Sequence, residues 1–393
     1  MTFTRRDSAM SLSLEAVTRR VGRETHIDRV DLTFEPGSFN VLLGRTLSGK
    51  TSLMRLMAGL DVPSDGRIVM NGEDVTGRPV RERNISMVYQ QFINYPSLSV
   101  YDNIASPLKL ARMAPEEIRR RVHEIAEMLH IEQFLARQPA ELSGGQQQRT
   151  AMARALVKDA DLVLFDEPLV NLDYKLREEL RHEMRSLFAT RNTIAVYATT
   201  EPGEALALGG TTTLMHEGRV LQSGPTEAVY HHPLSVEAAK LYSEPQINLF
   251  DAEVRGRELA FSGAASAGEQ GSRFVLPAPL AGIESGAYRF GIRPSHLGLA
   301  PLADDDLEFA VTVDIAEISG SETFLHVSNA DHSLVLHLAG IHDFAVDDAI
   351  RVYAPAHKLF VYAADGGDGA EQRGDGALIR SPERPTTTGG GLA

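Results

Sequence analysis

Cysteine is absent from all 393 residues. No disulfide framework, thiolate metal site, iron–sulfur cluster or cysteine nucleophile can therefore exist, and a reducing compartment is expected. Long apolar runs are missing as well: none approaches the roughly eighteen residues that a membrane-spanning helix needs. The opening MTFTRRDSAMSLSLEAV carries two arginines with no apolar stretch behind them, unlike a secretory signal. Basic charge is in deficit, with 39 Lys and Arg against 53 Asp and Glu and a net charge of −14. Such a balance makes nucleic acid a poor default partner, and none is expected. The rest is ordinary: 43% hydrophobic and 23% charged residues, with 33 Gly and 19 Pro, exclude a wholly disordered, collagenous or coiled-coil chain. The length suggests two to three domains. A soluble cytoplasmic protein is the expectation.

Composition shifts along the chain. From about Ser11 to Pro245, short apolar runs alternate with helical periodicity, the pattern of an α/β domain. SFNVLLG (38–44), NISMVYQ (84–90), DLVLFDEP (161–168) and NTIAVYATT (192–200) suit buried strands of a mostly parallel sheet. Between roughly Ser97 and Gly144 no clear strand occurs. Pro115 to His130 places Ile118, Val122, Ile125 and Leu129 on one face, with Pro115 opening the helix and Glu116 and Glu117 in its first turn. This region, 97–144, reads as a helical insertion. From about Gln246 short alternating segments separated by Gly, Asp and Asn predict a small all-β domain over 246–363. Residues 364–393 are Gly-, Pro- and charge-rich and read as a disordered tail.

GRTLSGKT, Gly44 to Thr51, fits the G-x-x-x-x-G-K-[ST] pattern between an apolar strand and a helix-spaced run. Backbone N–H groups of Gly44, Arg45, Thr46, Leu47, Ser48 and Gly49, continuing into Lys50, Thr51 and Ser52 at the helix start, would form an anion nest. Lys50 adds a point charge for the β and γ phosphates of a nucleotide. The Thr51 hydroxyl is a hard oxygen ligand for Mg²⁺. In DLVLFDEP a strand ends at Asp166–Glu167. Asp166 can hold Mg²⁺ directly or through water, and Glu167 can act as general base towards an attacking water. Asp-Glu after a strand is by itself more often a solvated helix cap; its pairing with Gly44–Thr51 makes it the other half of a nucleotide site.

LSGGQQQR, Leu142 to Arg149, supplies a second nest, with Ser143, Gly144 and Gly145 opening a helix. Two nests for one nucleotide make sense in a head-to-tail dimer, where each closes on the nucleotide of the opposite subunit. With these motifs in order, the chain resembles the ATP-binding subunits of ABC transporters. Leu142-Ser143-Gly144-Gly145-Gln146 resembles their signature motif, Gly44–Thr51 their Walker A and Leu162–Glu167 their Walker B. Asn171-Leu172-Asp173 resembles the D-loop, and Gln90 the Q-loop glutamine, a metal-facing and catalytic position in that family. GIRPSHLGL (291–299) and ISGSETFLHV (318–327) look like the regulatory domain of carbohydrate-uptake ATPases of the maltose and glycerol-3-phosphate type. The whole chain looks like one of two paired ATPase subunits of bacterial glycerol importers. Arg293 and His296 within those segments are read as packing residues.

The resemblance implies an α/β P-loop ABC ATPase domain with a helical insertion, then a barrel-like regulatory domain and a tail. It implies ATP and Mg²⁺ as cofactors and a place on the cytoplasmic face of the bacterial inner membrane. The implied partners are integral permease subunits, a second ATPase subunit and, indirectly, a periplasmic binding protein. QFINYPSLSVYDN (91–103), with Phe92 and Tyr95, would face the permease. A non-transport ABC ATPase acting on nucleic acid or ribosomes is the other class; a single ATPase module and the acidic balance speak against it.

Three positions depart from the family pattern. Thr200 stands where the switch histidine would contact the γ-phosphate. Val21 replaces the aromatic residue expected to stack on adenine, forfeiting about 1 kcal/mol. Leu47 replaces an inner Walker A glycine, where its Cβ is expected to crowd the nest. A complete signature beside an incomplete Walker side favours division of labour with a different partner ATPase over a homodimer that hydrolyses slowly.

Overall fold

The computed structural model describes residues 11–91, 93–170, 172–189, 191–261, 273–364 and 376–382. The chain forms two compact units, Met1–Glu227 and Ala228–Ala393.

In the first unit, β1 (Leu12–Val21), β2 (Glu24–Phe34) and β3 (Phe39–Leu43) lead to helix α1 (Lys50–Ala58). β4 (Asp65–Met70), β5 (Glu73–Asp74) and β6 (Ile85–Val88) follow, then α2 (Val100–Leu110), α3 (Pro115–Met128) and α4 (Gly144–Leu156). β7 (Leu162–Asp166), α5 (Tyr174–Ala189), β8 (Ile194–Thr199), α6 (Pro202–Leu208), β9 (Thr211–His216) and β10 (Arg219–Pro225) come next.

The central sheet runs β10-β9-β3-β8-β7-β6, parallel except at the β9–β10 hairpin. All four apolar runs picked out in the sequence are strands of this sheet. Its register sets Leu43 beside Thr199 and Asp166 beside Ala198. The carboxyl ends of β3, β7 and β8 therefore share one edge, where ligands of open α/β sheets bind. A second, antiparallel sheet has the order β2-β1-β4-β5. Leu12, Leu14, Ile27 and Ile68 from it pack on Leu53, Met54, Leu56 and Met57 of α1 and on Leu42, Leu164 and Val196 of the central sheet. Burying each such side chain contributes about 1.5–3 kcal/mol, so the helix behind the phosphate loop is firmly seated.

The region 97–144 holds no strand. Helix α3 has Pro115 at its start and buries Ile118, Val122 and Ile125, as the spacing predicts. Helix α2, which the sequence reading did not resolve, is capped by the Ser99 hydroxyl accepting from the Asp102 N–H at 3.0 Å.

The second unit takes in α7 (Thr226–His231) from its third residue and α8 (Val236–Leu241), then β11 (Asn248–Arg255), β12 (Glu258–Phe261), β13 (Arg273–Val275) and β14 (Gly286–Ile292). β15 (Leu307–Ser319), β16 (Glu322–Ser328), β17 (Ser333–Ala339), β18 (Ala349–Ala354), β19 (Phe360–Ala363) and β20 (Leu378–Arg380) complete it. Two antiparallel sheets, β13-β12-β11-β14-β19-β20 and β17-β16-β15-β18, enclose one core around Phe250, Phe261, Phe290 and Phe309. The partition falls earlier than the change of character read near Pro245. Val236 and Ala239 of α8 pack on Ile247, Phe360 and Tyr362, so this helix belongs with the β structure. The segment expected to be a disordered tail also needs correction. Within 364–393, residues 376–382 return to the sheet: β20 pairs with β19, and Leu378 N–H donates to the Leu234 carbonyl at 2.9 Å. The other residues of that segment lie outside the described ones apart from Ala364.

Candidate nucleotide site

At the carboxyl edge of the central sheet lies a cleft of 660 Å³, walled on one side by Thr46 to Ser52. Lys50 is 5% exposed, and its Nζ donates to the carbonyls of Gly44 at 2.8 Å and Arg45 at 3.1 Å. It also stands 3.7 Å from Glu167 Oε1. Burial holds the Lys50 pKa below its ordinary value, against the opposing pull of Glu167 and Asp166. Thr51 Oγ1 donates to Asp166 Oδ2 at 2.9 Å and approaches Oδ1 at 3.2 Å. Burial, with the neighbouring charge of Glu167 adding to it, pushes the Asp166 pKa up. Gln90 Nε2 donates to Glu167 Oε2 at 3.1 Å. Five residues from three segments thus converge: Lys50, Thr51, Gln90, Asp166 and Glu167.

Gly44 and Arg45 reach this group through their carbonyls. Ser48 is buried, and its Oγ has no hydrogen-bond partner among the described residues. Leu47 does not crowd the loop as expected. Its side chain is 95% exposed, and the departure shows in the backbone instead, at φ 67°. Thr200 is half-buried and does not line the cleft. The strand before it is anchored by Glu204, whose carboxylate accepts from Thr199 Oγ1 at 2.6 Å and from the Tyr197 hydroxyl at 3.1 Å. Glu201, just after it, pairs with Arg177 at 2.9 Å.

Ser143, Gly144, Gly145 and Gln146 do not line the cleft either; they open α4. Ser143 Oγ accepts from the Gln146 N–H, and Gln146 Oε1 accepts from the Ser143 N–H, a reciprocal cap. Two contacts tie this helix to the other motifs: Gln148 donates to the Pro168 carbonyl, and Asn94 Nδ2 donates to the Gln147 carbonyl at 2.8 Å. Tyr95 is 49% exposed, with Arg154 stacked over its ring. Phe92 and Asn171 lie outside the described residues. In the second unit Arg293 is buried, with its guanidinium 3.8 Å from the Tyr230 ring centroid, a packing arrangement.

Sequence reasoning missed part of the cleft lining, made by Glu24, Thr25 and His26 of β2 and by Glu217 and Gly218 in the β9–β10 turn. These residues are far apart in the chain, and no local pattern joins them.

A phosphate-loop fold with paired carboxylates at the sheet edge defines the class of nucleotide-binding ATPases. The ABC transporter family matches residues 27–170 and the TOBE domain family residues 290–361. The chain is 35% identical to the sn-glycerol-3-phosphate import ATP-binding protein UgpC of Brucella abortus, over 86% of this chain and 93% of that protein. It is also 35% identical to the protein of that name from Salmonella typhimurium, over 91% of this chain and 98% of the relative. Among solved structures, the ATP-binding cassette MJ0796 in a dimeric post-hydrolysis state bound to ADP and Pi matches with TM-score 0.51 and 28% identity, covering 55% of this chain and 98% of that one. The chain belongs to the ATP-binding proteins of ABC transporters, and it is an ATPase that binds ATP.

Proposed function

We propose that the chain energises a binding-protein-dependent importer of a carbohydrate or polyol, with sn-glycerol-3-phosphate or glycerol as the favoured cargo. It would sit at the cytoplasmic face of a bacterial inner membrane, against integral permease subunits and beside a second ATPase subunit. No helix among the described residues is long and apolar enough to cross a membrane. The observation that carries the reading is the convergence of Lys50, Thr51, Gln90, Asp166 and Glu167 on one cleft, in a chain whose relatives are import ATPases.

The ATP phosphates lie along the N–H groups of 44–52, and Lys50 exchanges its carbonyl partners for phosphate oxygens. Thr51 and Asp166, with Gln90, would hold Mg²⁺. No group of three or more His, Cys, Asp or Glu among the described residues forms a protein metal cage, which suits an ion that shares phosphate and water ligands. Bound there, the ion neutralises developing charge on the phosphates. Glu167 takes the proton of the attacking water while Gln90 holds its carboxylate. The Thr200 hydroxyl can hydrogen-bond the γ-phosphate but carries no charge. The Ser143–Gln146 nest serves the nucleotide on the partner, and the departures at Thr200 and Val21 on this chain's own nucleotide side support an asymmetric pair.

The test is reconstitution with its permease and binding protein in vesicles. Binding protein loaded with sn-glycerol-3-phosphate or glycerol should stimulate ATP hydrolysis and drive uptake, and Lys50→Ala should weaken ATP binding at this chain's own site. Stimulation by neither cargo would overturn the transport reading.

A further inference from the structure

We propose that His26 is the platform on which the adenine ring of ATP rests, and so a specificity-determining residue of this cleft; the inference deepens the nucleotide reading above and rests on it. The cleft is lined by the phosphate loop, with Lys50 and Thr51, and by residues of β2 and the β9–β10 turn that lie beside that loop. A purine needs a flat, partly apolar face to stack on. Among the described residues lining the cleft, His26 carries the one ring. Val21, where the family pattern has its aromatic residue, lines no part of the cleft and cannot stack there.

His26 is also held in place. At Gly49 an added Cβ would lie 3.0 Å from the His26 carbonyl oxygen, and at Gly218 only 2.5 Å from it. Both glycines have positive φ, 102° and 77°, so both the conformation and the approach demand a residue without a side chain. Asp28 N–H donates to the Gly218 carbonyl, and Gly218 N–H to the Ser48 carbonyl, each at 2.9 Å. Three backbone segments are thus locked together beside the phosphate loop. The imidazole itself remains accessible, 38% exposed, with its Nε2 3.6 Å from Glu24 Oε2. A rigid backbone, an accessible ring and a carboxylate beside it make a pre-set stacking surface.

The experiment measures calorimetric binding of ATP and of inorganic tripolyphosphate to the full chain, with His26→Ala, His26→Phe and Lys50→Ala made singly. Base–ring stacking corresponds to about 5- to 150-fold in affinity. His26→Ala should weaken ATP by about tenfold, near the lower end for a small ring, and leave tripolyphosphate unchanged. His26→Phe should keep ATP binding. ATP affinity untouched by His26→Ala, equal loss for both probes, or failure of Phe to restore ATP would each overturn the inference. Unaltered ATP and tripolyphosphate binding by Lys50→Ala would instead overturn the nucleotide reading of the cleft itself, and this inference with it.

Discussion

Leu47 holds a left-handed backbone conformation that costs an L-residue about 1–2 kcal/mol. Glycine at this position would relieve that strain and give back part of the gain as unfolded-chain entropy. Leu47→Gly should therefore stabilise the first unit by about 0.5–1 kcal/mol in urea unfolding; no change, or a loss, would refute the strain. The sequence identified the substitution but misjudged its cost, because a pattern gives no side-chain direction. His296 makes a second case. Burial lowers its pKa to about 4, assisted by the nearby Arg293, Lys358, His357 and His231. A histidine kept neutral in the fold contributes stability that is complete above about pH 6.5 and is lost as pH falls towards 4. The second unit should lose on the order of 2–3 kcal/mol across that window, and His296→Leu should flatten the profile. An unchanged pH dependence of the melting midpoint in the variant would rule this out.

Elements with strong periodicity were legible. The strands Phe39–Leu43, Ile85–Val88, Leu162–Asp166 and Ile194–Thr199 and the helix Pro115–Met128 all fall within the segments that their apolar spacing predicts. Strand β20 was not legible, because three half-buried residues in a Gly-rich context have no period of their own. Its stability is tertiary: pairing with β19, Leu378 against the Val236–Tyr362 cluster, and Ser381 Oγ 2.6 Å from His232 Nδ1. Ending the chain after Ala364 should lower the melting midpoint by roughly 2–8 °C, equivalent to about 1–2 kcal/mol, with ATP binding unaffected. A midpoint that does not move would mean that the strand adds nothing.

At the scale of the molecule, the reading of unequal partners makes a sharp contrast. Ser143→Arg places a cation in the nest that serves the partner's nucleotide, whereas Glu167→Gln disables only this chain's own site. If the partner carries the working site, Ser143→Arg should cut stimulated hydrolysis in the assembled complex by about 100-fold or more, and Glu167→Gln far less. Equal losses would indicate two working sites. The motif order that suggested this was readable from the chain; the part of the cleft lining from β2 and the turn near residue 218 was not, since these meet through space alone.

The contacts among the residues that line the cleft have an energetic consequence. Lys50 is satisfied by two carbonyls and faces Glu167, while Gln90 holds the same carboxylate. The protein thus acts as an internal competitor for its own ligand. A triphosphate that draws on the Lys50 charge would share it with Glu167. Neutralising the competitor in Glu167→Gln should tighten ATP binding several-fold even as hydrolysis falls, and weaker binding would show that the carboxylate helps to hold the nucleotide.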